Sequence, residues 1–190
     1  MEYKLASHQT MSYGTPRRWW MWVVDLCARC QDKSLVEQIR DAGVEMIDIR
    51  IRFGSSFIPH FAHGLVEYTE DVFVSLGIAD SCARQYRRKI MVRLMHEERK
   101  PTEEARCRFA AFCRKVEKDF PNLVFFGGMN RYDWSDVVYD FGRGTMDSAI
   151  DERVSSVRSL GLFPYLWAKI NNGRILRQGT DKEFLMMDFL

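Results

Sequence analysis

Three side chains near the start of the chain can together break a phosphodiester: His8 in Ala6-Ser7-His8-Gln9-Thr10, Arg50 in Asp48-Ile49-Arg50, and His63 in His63-Gly64. One imidazole can accept a proton from an attacking oxygen while a second gives one to the leaving oxygen. A guanidinium can grip the phosphate through a charge-assisted fork and stabilise the charge that builds on it. That division of labour requires no metal ion.

The elements that must position these groups read as alternating strands and helices. A short strand over Tyr3 to Ala6 would deliver His8 at its C-terminal end, ahead of a turn-rich stretch with Gly14 and Pro16. Ser34 and Glu37 form a capping box and Gly43 is a natural C′ residue, which predicts a helix over 34–42. In the run from Val44 to Arg52, a period of two puts Ile47, Ile49 and Ile51 on one face and Asp48, Arg50 and Arg52 on the other. The second face is too charged for ordinary core.

Residues 69–86 read as a helix through Val72, Leu76, Ile78 and Cys82, and Lys89 to Met95 as a short buried strand. Thr102, followed by Glu103 and Glu104, opens a helix with apolar Ala105, Phe109, Phe112, Val116 and Phe120, which Pro121 ends. Leu123 to Phe126 is a further strand, 147–160 a further helix, Tyr165 to Ile170 a short helix ending near Asn171-Asn172-Gly173, and Glu183 to Met187 a terminal strand. Repeated strand-helix units imply an α/β fold with a mainly parallel sheet. If that sheet closes into a barrel, sites gather at the C-terminal ends of its strands, where His8, Arg50, His96 and Asp188 fall.

The bulk composition narrows the class. A chain of 190 residues, 46% hydrophobic and 28% charged, can bury one sizeable core, and a single domain over 1–190 is expected. Lys plus Arg number 28 against 26 Asp plus Glu, so no global charge draws the chain to nucleic acid, and no nucleic-acid partner is expected. Five cysteines without a regular framework fit a reducing compartment. The start Met1-Glu2-Tyr3-Lys4 lacks a basic-then-apolar leader and no run reaches the roughly 20 apolar residues of a membrane span. A cytoplasmic location, with peripheral membrane association as an option, is the expectation.

The ordered set Ser7-His8-Gln9, Gln31 ahead of a capped helix, Gly43-Val44-Glu45-Met46-Ile47-Asp48-Ile49-Arg50, Ala62-His63-Gly64 and Met187-Asp188-Phe189 resembles the bacterial phosphatidylinositol-specific phospholipase C family. The resemblance implies a TIM-type (β/α) barrel, and at this length a small, irregular or trimmed one. It implies that His8 is the general base that deprotonates the inositol 2-hydroxyl, that Asp188 holds the His8 ring, and that His63 protonates the leaving oxygen. Arg50 would hold the phosphate where eukaryotic relatives use calcium, so neither metal nor cofactor is expected.

Two departures from the family pattern stand out. Where the family has Gly-Thr-His-Asp, this chain has Ala6-Ser7-His8-Gln9, so the acid that pairs with the second histidine is missing and the His63 pKa should be low unless Asp48 supplies the charge. Where a ligand-contacting lysine or acid is expected, the chain has Met95, followed by His96 and Glu97. Met95, His96, Glu97 and Arg131 are weaker substrate-binding candidates, and His60 and His96 also read as structural histidines. Asp48 is either a ligand-facing acid or the buried partner that positions Arg50 and Arg52.

The run Arg17-Arg18-Trp19-Trp20-Met21-Trp22 has two readings, a membrane-contacting rim in which Trp19, Trp20 and Trp22 meet the bilayer interface, or an aromatic cap over the barrel mouth. Cys27 and Cys30 read as two buried or semi-buried thiols on a helix, since no second pair stands at metal spacing. Gly127-Gly128-Met129-Asn130-Arg131 lacks the lysine of a P-loop and reads as a loop whose Arg131 and Asp133 could line the pocket. The expected function is metal-independent cleavage of a phosphodiester, with inositol phospholipid as a candidate substrate. The alternatives are a catalytically silent phospho-ligand or lipid-binding module, a metal-dependent phosphodiesterase on the glycerophosphodiester or sphingomyelinase D pattern, and a redox or zinc protein using Cys27 and Cys30.

Overall fold

The computed structural model describes residues 3–54, 58–98, 101–128, 139, 141–155 and 163–190. Its strands are β1 (Lys4–Ser7), β2 (Met46–Phe53), β3 (Pro59–His63), β4 (Val66–Asp71), β5 (Ile90–His96), β6 (Leu123–Gly127), β7 (Ile150–Arg153) and β8 (Phe184–Met187). Its helices are α1 (Met21–Ala28), α2 (Leu35–Arg40), α3 (Val72–Gln85), α4 (Glu103–Asp119) and α5 (Pro164–Gln178). The parallel strands run in the order β7-β8-β1-β2-β5-β6, a curled sheet of six. It is a trimmed α/β barrel, curled through about half of a closed one.

The alternation in β2 decides what faces where. Ile47, Ile49 and Ile51 are buried in the main cluster against the helices, together with Val92, Leu94, Phe109 and Val116. Each such side chain contributes about 1.5–3 kcal/mol of burial. The opposite face turns into the curl, where Ala6, Met46, Phe126, Ile150, Phe184 and Met186 form a second, smaller cluster. Above that apolar layer, toward the C-terminal strand ends, the curl becomes polar and holds Asp48 and Arg93, both buried.

Three expectations are corrected. The helix expected over 147–160 begins instead as a 3-10 turn, Asp147–Ala149, leading into β7, because Ile150 pairs with Phe184 and enters the inner cluster. The helix expected to stop near Asn171-Asn172-Gly173 continues to Gln178, since Asn171 returns its side-chain amide to the Trp167 carbonyl and Ile175 is buried one turn on. The helix expected over 69–86 begins only at Val72, because residues up to Asp71 complete β4, which with β3 forms an antiparallel hairpin that pairs with the upper half of β2 through Ile51, Arg52 and Phe53. Where β1 stops at its pairing with Ile47, that hairpin takes over the same edge of β2.

Candidate active site

His8 follows the last residue of β1, and its backbone amide donates to the Met187 carbonyl of β8 at 3.1 Å. Buried Gln31 bridges these two strand ends, its Nε2 donating to the carbonyls of His8 at 3.0 Å and Met187 at 3.1 Å. The clamp puts His8 beside the next residue of the neighbouring strand. His8 Nδ1 lies 2.7 Å from Asp188 Oδ1, and both side chains are buried. Burial opposes the Asp188 charge, but His8 and the Ser155 amide outweigh it and hold the carboxyl below its ordinary range. A carboxylate can only accept, so His8 Nδ1 carries a proton, and in the neutral ring the lone pair lies on Nε2.

His63 ends β3. Its ring stands edge-on to that of His8 with centroids 6.2 Å apart. Nδ1 donates to the Ala28 carbonyl at 2.6 Å, which again leaves Nε2 free. Burial first, and then the Arg50 charge, push the His63 pKa down to about 4. The low value expected from the missing acid is therefore present, and Asp48 does not compensate for it. Asp48 is committed elsewhere.

Arg50 leaves β2 on the same face as Asp48, near enough to His63 for its charge to depress that imidazole. Its Nη1 meets Glu97 Oε2 at 3.2 Å and its Nε stands 3.9 Å from Asp48 Oδ2. Gln9, with its amide oxygen turned toward the donors, accepts from Nη1 and Nη2 at 3.0 Å. Gln9 holds a left-handed backbone at φ 46°, which aims its amide N–H at Asp48 Oδ2, 3.2 Å away. Burial weighs against the Arg50 charge, but Glu97 and Asp48 more than offset it and raise its pKa. Glu97 also accepts the Gly64 amide at 2.8 Å on Oε1, so one carboxylate ties Arg50 to the turn that follows His63. Arg52 braces that turn, its Nε donating to the Glu97 carbonyl at 2.8 Å and its Nη2 to the Gly64 carbonyl.

The remaining candidates divide. Met95 is on the inner face of β5, beside Arg50 in the β2–β5 register, and is 3% exposed. His96 points the other way, its ring 5.1 Å from Phe109 and 5.9 Å from Phe53, so it belongs to the helix-facing core. Arg131 and Asp133 lie outside the described residues. Trp19 and Trp22 are 83% and 52% exposed, with Val23 and Leu26 also open to solvent, whereas Trp20 packs onto the main core. Cys27 is exposed, contrary to expectation, and Cys30 is buried.

Two contributors were not placed at the site by the sequence reading. Arg93, taken there as part of a buried apolar strand, is aligned with Asp48 across the parallel pair and donates to its Oδ1 at 2.8 Å. An arginine in phase with Met95 on a strand beside Asp48 was the available signal. Cys30 Sγ stands 3.9 Å from His63 Nδ1, and burial with the neighbouring Asp188 charge raises its pKa well above the usual thiol range. Its spacing with Cys27 marked it as a buried or semi-buried thiol but not as a neighbour of His63. His8, Cys30 and Asp188 place ligand atoms within 4.8 Å of one another, the group among the described residues that could hold a metal ion, although His8 and Asp188 already satisfy each other by hydrogen bond.

No protein-family model and no curated protein matches the sequence. The structure does find likenesses, among them several forms of phosphatidylinositol-specific phospholipase C from Staphylococcus aureus. One variant superposes with a TM-score of 0.67 at 15% identity, covering 98% of this chain and 84% of that one. A second, described under modulation of membrane binding, gives 0.66 at 16% identity over 98% and 85% of the two chains. A third, carrying pentafluoro-Phe, gives 0.65 at 14% over 98% and 85%. At such identities the likeness is one of architecture, and this chain has the fold of that staphylococcal phospholipase C in trimmed form.

Proposed function

We infer that the chain is a metal-independent phosphodiesterase of the phosphatidylinositol phospholipase C kind. His8 Nε2 takes the proton of a substrate hydroxyl, whose oxygen attacks the adjacent phosphorus. Arg50 holds the phosphate oxygens, and His63 gives a proton to the departing oxygen as the P–O bond breaks. With an inositol phospholipid the products would be a cyclic inositol phosphate and diacylglycerol. The reading rests above all on the 2.7 Å contact of His8 Nδ1 with Asp188, which leaves the opposite nitrogen basic beside a second imidazole and a guanidinium.

The exposed Trp19, Trp22, Val23 and Leu26 on and before α1 would rest on the lipid surface, with Arg17 and Arg18 toward anionic headgroups. A second reading, a silent module that binds phosphorylated headgroups, is favoured by one observation: Glu97 and Gln9 occupy Arg50, and His63 is neutral above a pH of about 4.

The test is turnover of phosphatidylinositol vesicles and of a chromogenic inositol phosphodiester, with and without chelator, beside the His8→Ala variant. Turnover that survives chelation and vanishes in the variant supports the enzyme. Binding of the headgroup without turnover supports the silent module, and loss on chelation refutes metal independence.

A further inference from the structure

Arg50 sits between two carboxylates, Glu97 and Asp48, yet a phosphate-holding arginine must offer net positive charge to an incoming anion. Glu97 divides itself between Arg50 and the Gly64 amide. Asp48 is also divided, and more unequally. Its Oδ1 accepts from Arg93 Nε at 2.8 Å, while its Oδ2 takes the Gln9 amide at 3.2 Å and stands 3.9 Å from Arg50. Gln9 contacts Arg50 with a neutral amide, which orients the guanidinium without cancelling its charge.

Arg93 is fixed for this task. It is 2% exposed, and beyond Asp48 it meets Glu152 Oε1 at 2.5 Å, Asp147 Oδ1 at 3.4 Å and the Met186 sulfur at 3.2 Å. The neighbouring strand makes room for it, because a Cβ at Gly128 would lie 2.7 Å from Arg93 Cδ and 2.9 Å from its Cγ. Its guanidinium is taken up by Asp48, Glu152, Asp147 and the Met186 sulfur, and of these Asp48 is the one that also faces Arg50.

We propose that Arg93 is a positioning residue for the phosphate site: it draws the Asp48 carboxylate away from Arg50 and so leaves the Arg50 charge available to a phosphodiester anion. The proposal deepens the phosphodiesterase reading and names a control of the same site. Without Arg93, the Asp48 carboxylate would lose its nearest cation and turn to the next, Arg50, closing the contact that now stands at 3.9 Å. The Arg50 field would then weaken at its neighbours. His63 reports that field directly, since Arg50 is the leading charge that depresses it.

The test follows His63 by NMR pH titration in the whole chain, with or without turnover. Wild type should titrate at about 4. Arg93→Met should raise that value by about one pH unit or more, a tenfold change in protonation, and the double variant Arg93→Met/Asp48→Asn should bring it back. An unchanged value in Arg93→Met overturns the proposal, and so does a rise that persists in the double variant, since the effect would then not pass through Asp48. If Arg93→Met fails to fold, Arg93→Gln takes its place, with the same rise expected, the same return in combination with Asp48→Asn, and the same results overturning the proposal. On a soluble inositol phosphodiester, Arg93→Met should raise KM about tenfold or more with kcat less affected, and the double variant should recover most of the KM. Absence of turnover in wild type together with the expected His63 titrations would remove the phosphodiesterase reading while leaving the Arg93 relay in place.

Discussion

Asp188 uses both carboxylate oxygens on the architecture around His8, one on Nδ1 of the ring at 2.7 Å and the other on the Ser155 amide at 2.8 Å. The second contact holds the carboxylate while the first fixes the tautomer. Asp188→Asn keeps the volume and the contact to Ser155, but its amide nitrogen can meet His8 Nδ1 only as a donor, which forces the proton to Nε2. The proposed base is then blocked. Turnover of a soluble phosphodiester should fall about 10³–10⁴-fold, as expected when an orienting carboxylate is lost from a catalytic imidazole, while the circular dichroism spectrum stays unchanged. A loss below about tenfold would show that the carboxylate does not set the His8 tautomer.

The depressed His63 pKa makes a prediction about the pH profile. When one imidazole must be protonated and another free, the low-pH limb of kcat/KM follows whichever titrates lower. Burial, and then the Arg50 charge, push the His63 pKa down to about 4. Rate measurements on a soluble diester should therefore hold their plateau well below pH 6 and bend only near 4. A limb near the ordinary histidine value of about 6.5 would mean that His63 is not depressed in solution.

His96 carries a separate, structural pH dependence. Burial, with the Arg52 charge second, lowers its pKa to about 4, and neither ring nitrogen has a hydrogen-bond partner, although the Glu98 carboxylate stands 3.4 Å from Nε2. The folded chain thus binds fewer protons here than the unfolded chain does, so stability is complete above the unfolded value of about 6.5 and declines as pH falls toward 4. The loss attributable to His96 is at most about 3 kcal/mol. Urea unfolding at pH 7 and pH 4.5 measures it, and His96→Phe, placed between Phe53 and Phe109, should reduce the difference between the two. An equal difference in the variant would assign the acid sensitivity to other groups.

Trp19 and Trp22 make a prediction about lipid surfaces. Both are exposed beside Val23 and Leu26, and burying an indole in the bilayer interface replaces apolar contact with water. Trp19→Ala/Trp22→Ala should weaken partition onto phosphatidylinositol vesicles about tenfold or more while leaving turnover of a soluble diester unaffected. Trp20→Ala should do the reverse of a surface change and lower thermal stability, because that ring packs on the core. Unaltered vesicle binding by the double variant would assign α1 a role other than lipid contact.

Much of the site was legible because strand alternation is a strong local signal. The Ile47, Ile49 and Ile51 face and the Asp48, Arg50 and Arg52 face are fixed by period alone, and Ser34 with Glu37 marked α2 through a cap that is present in full. What escaped depended on pairing between distant segments. β7 reads as helix until Ile150 is seen against Phe184, and the β3–β4 hairpin has no Asn-Gly turn to announce it, only Gly64 at φ 58°. Arg93 looked like an interruption of an apolar strand because its partner Asp48 is 45 residues away. The balance between acids and arginines around Arg50 is a property of register, which no single segment carries.

Gly128 tests how tightly that register packs. It sits just past β6, where an added methyl would lie 2.7 Å from Arg93 Cδ and 2.9 Å from the Met95 sulfur. The Met95 thioether could yield by rotation, but Arg93 is held at its far end by Asp48 and Glu152, so its stem has little freedom to retreat. Gly128→Ala should therefore cost about 1–3 kcal/mol by overpacking, against a gain of a few tenths from the stiffer unfolded chain. Gly128→Ala combined with Met95→Ala should recover only part of the loss, because the contact with Arg93 remains. Full recovery in that double variant, measured by denaturant unfolding, would show that Met95 alone fills the space and that Arg93 is free to move.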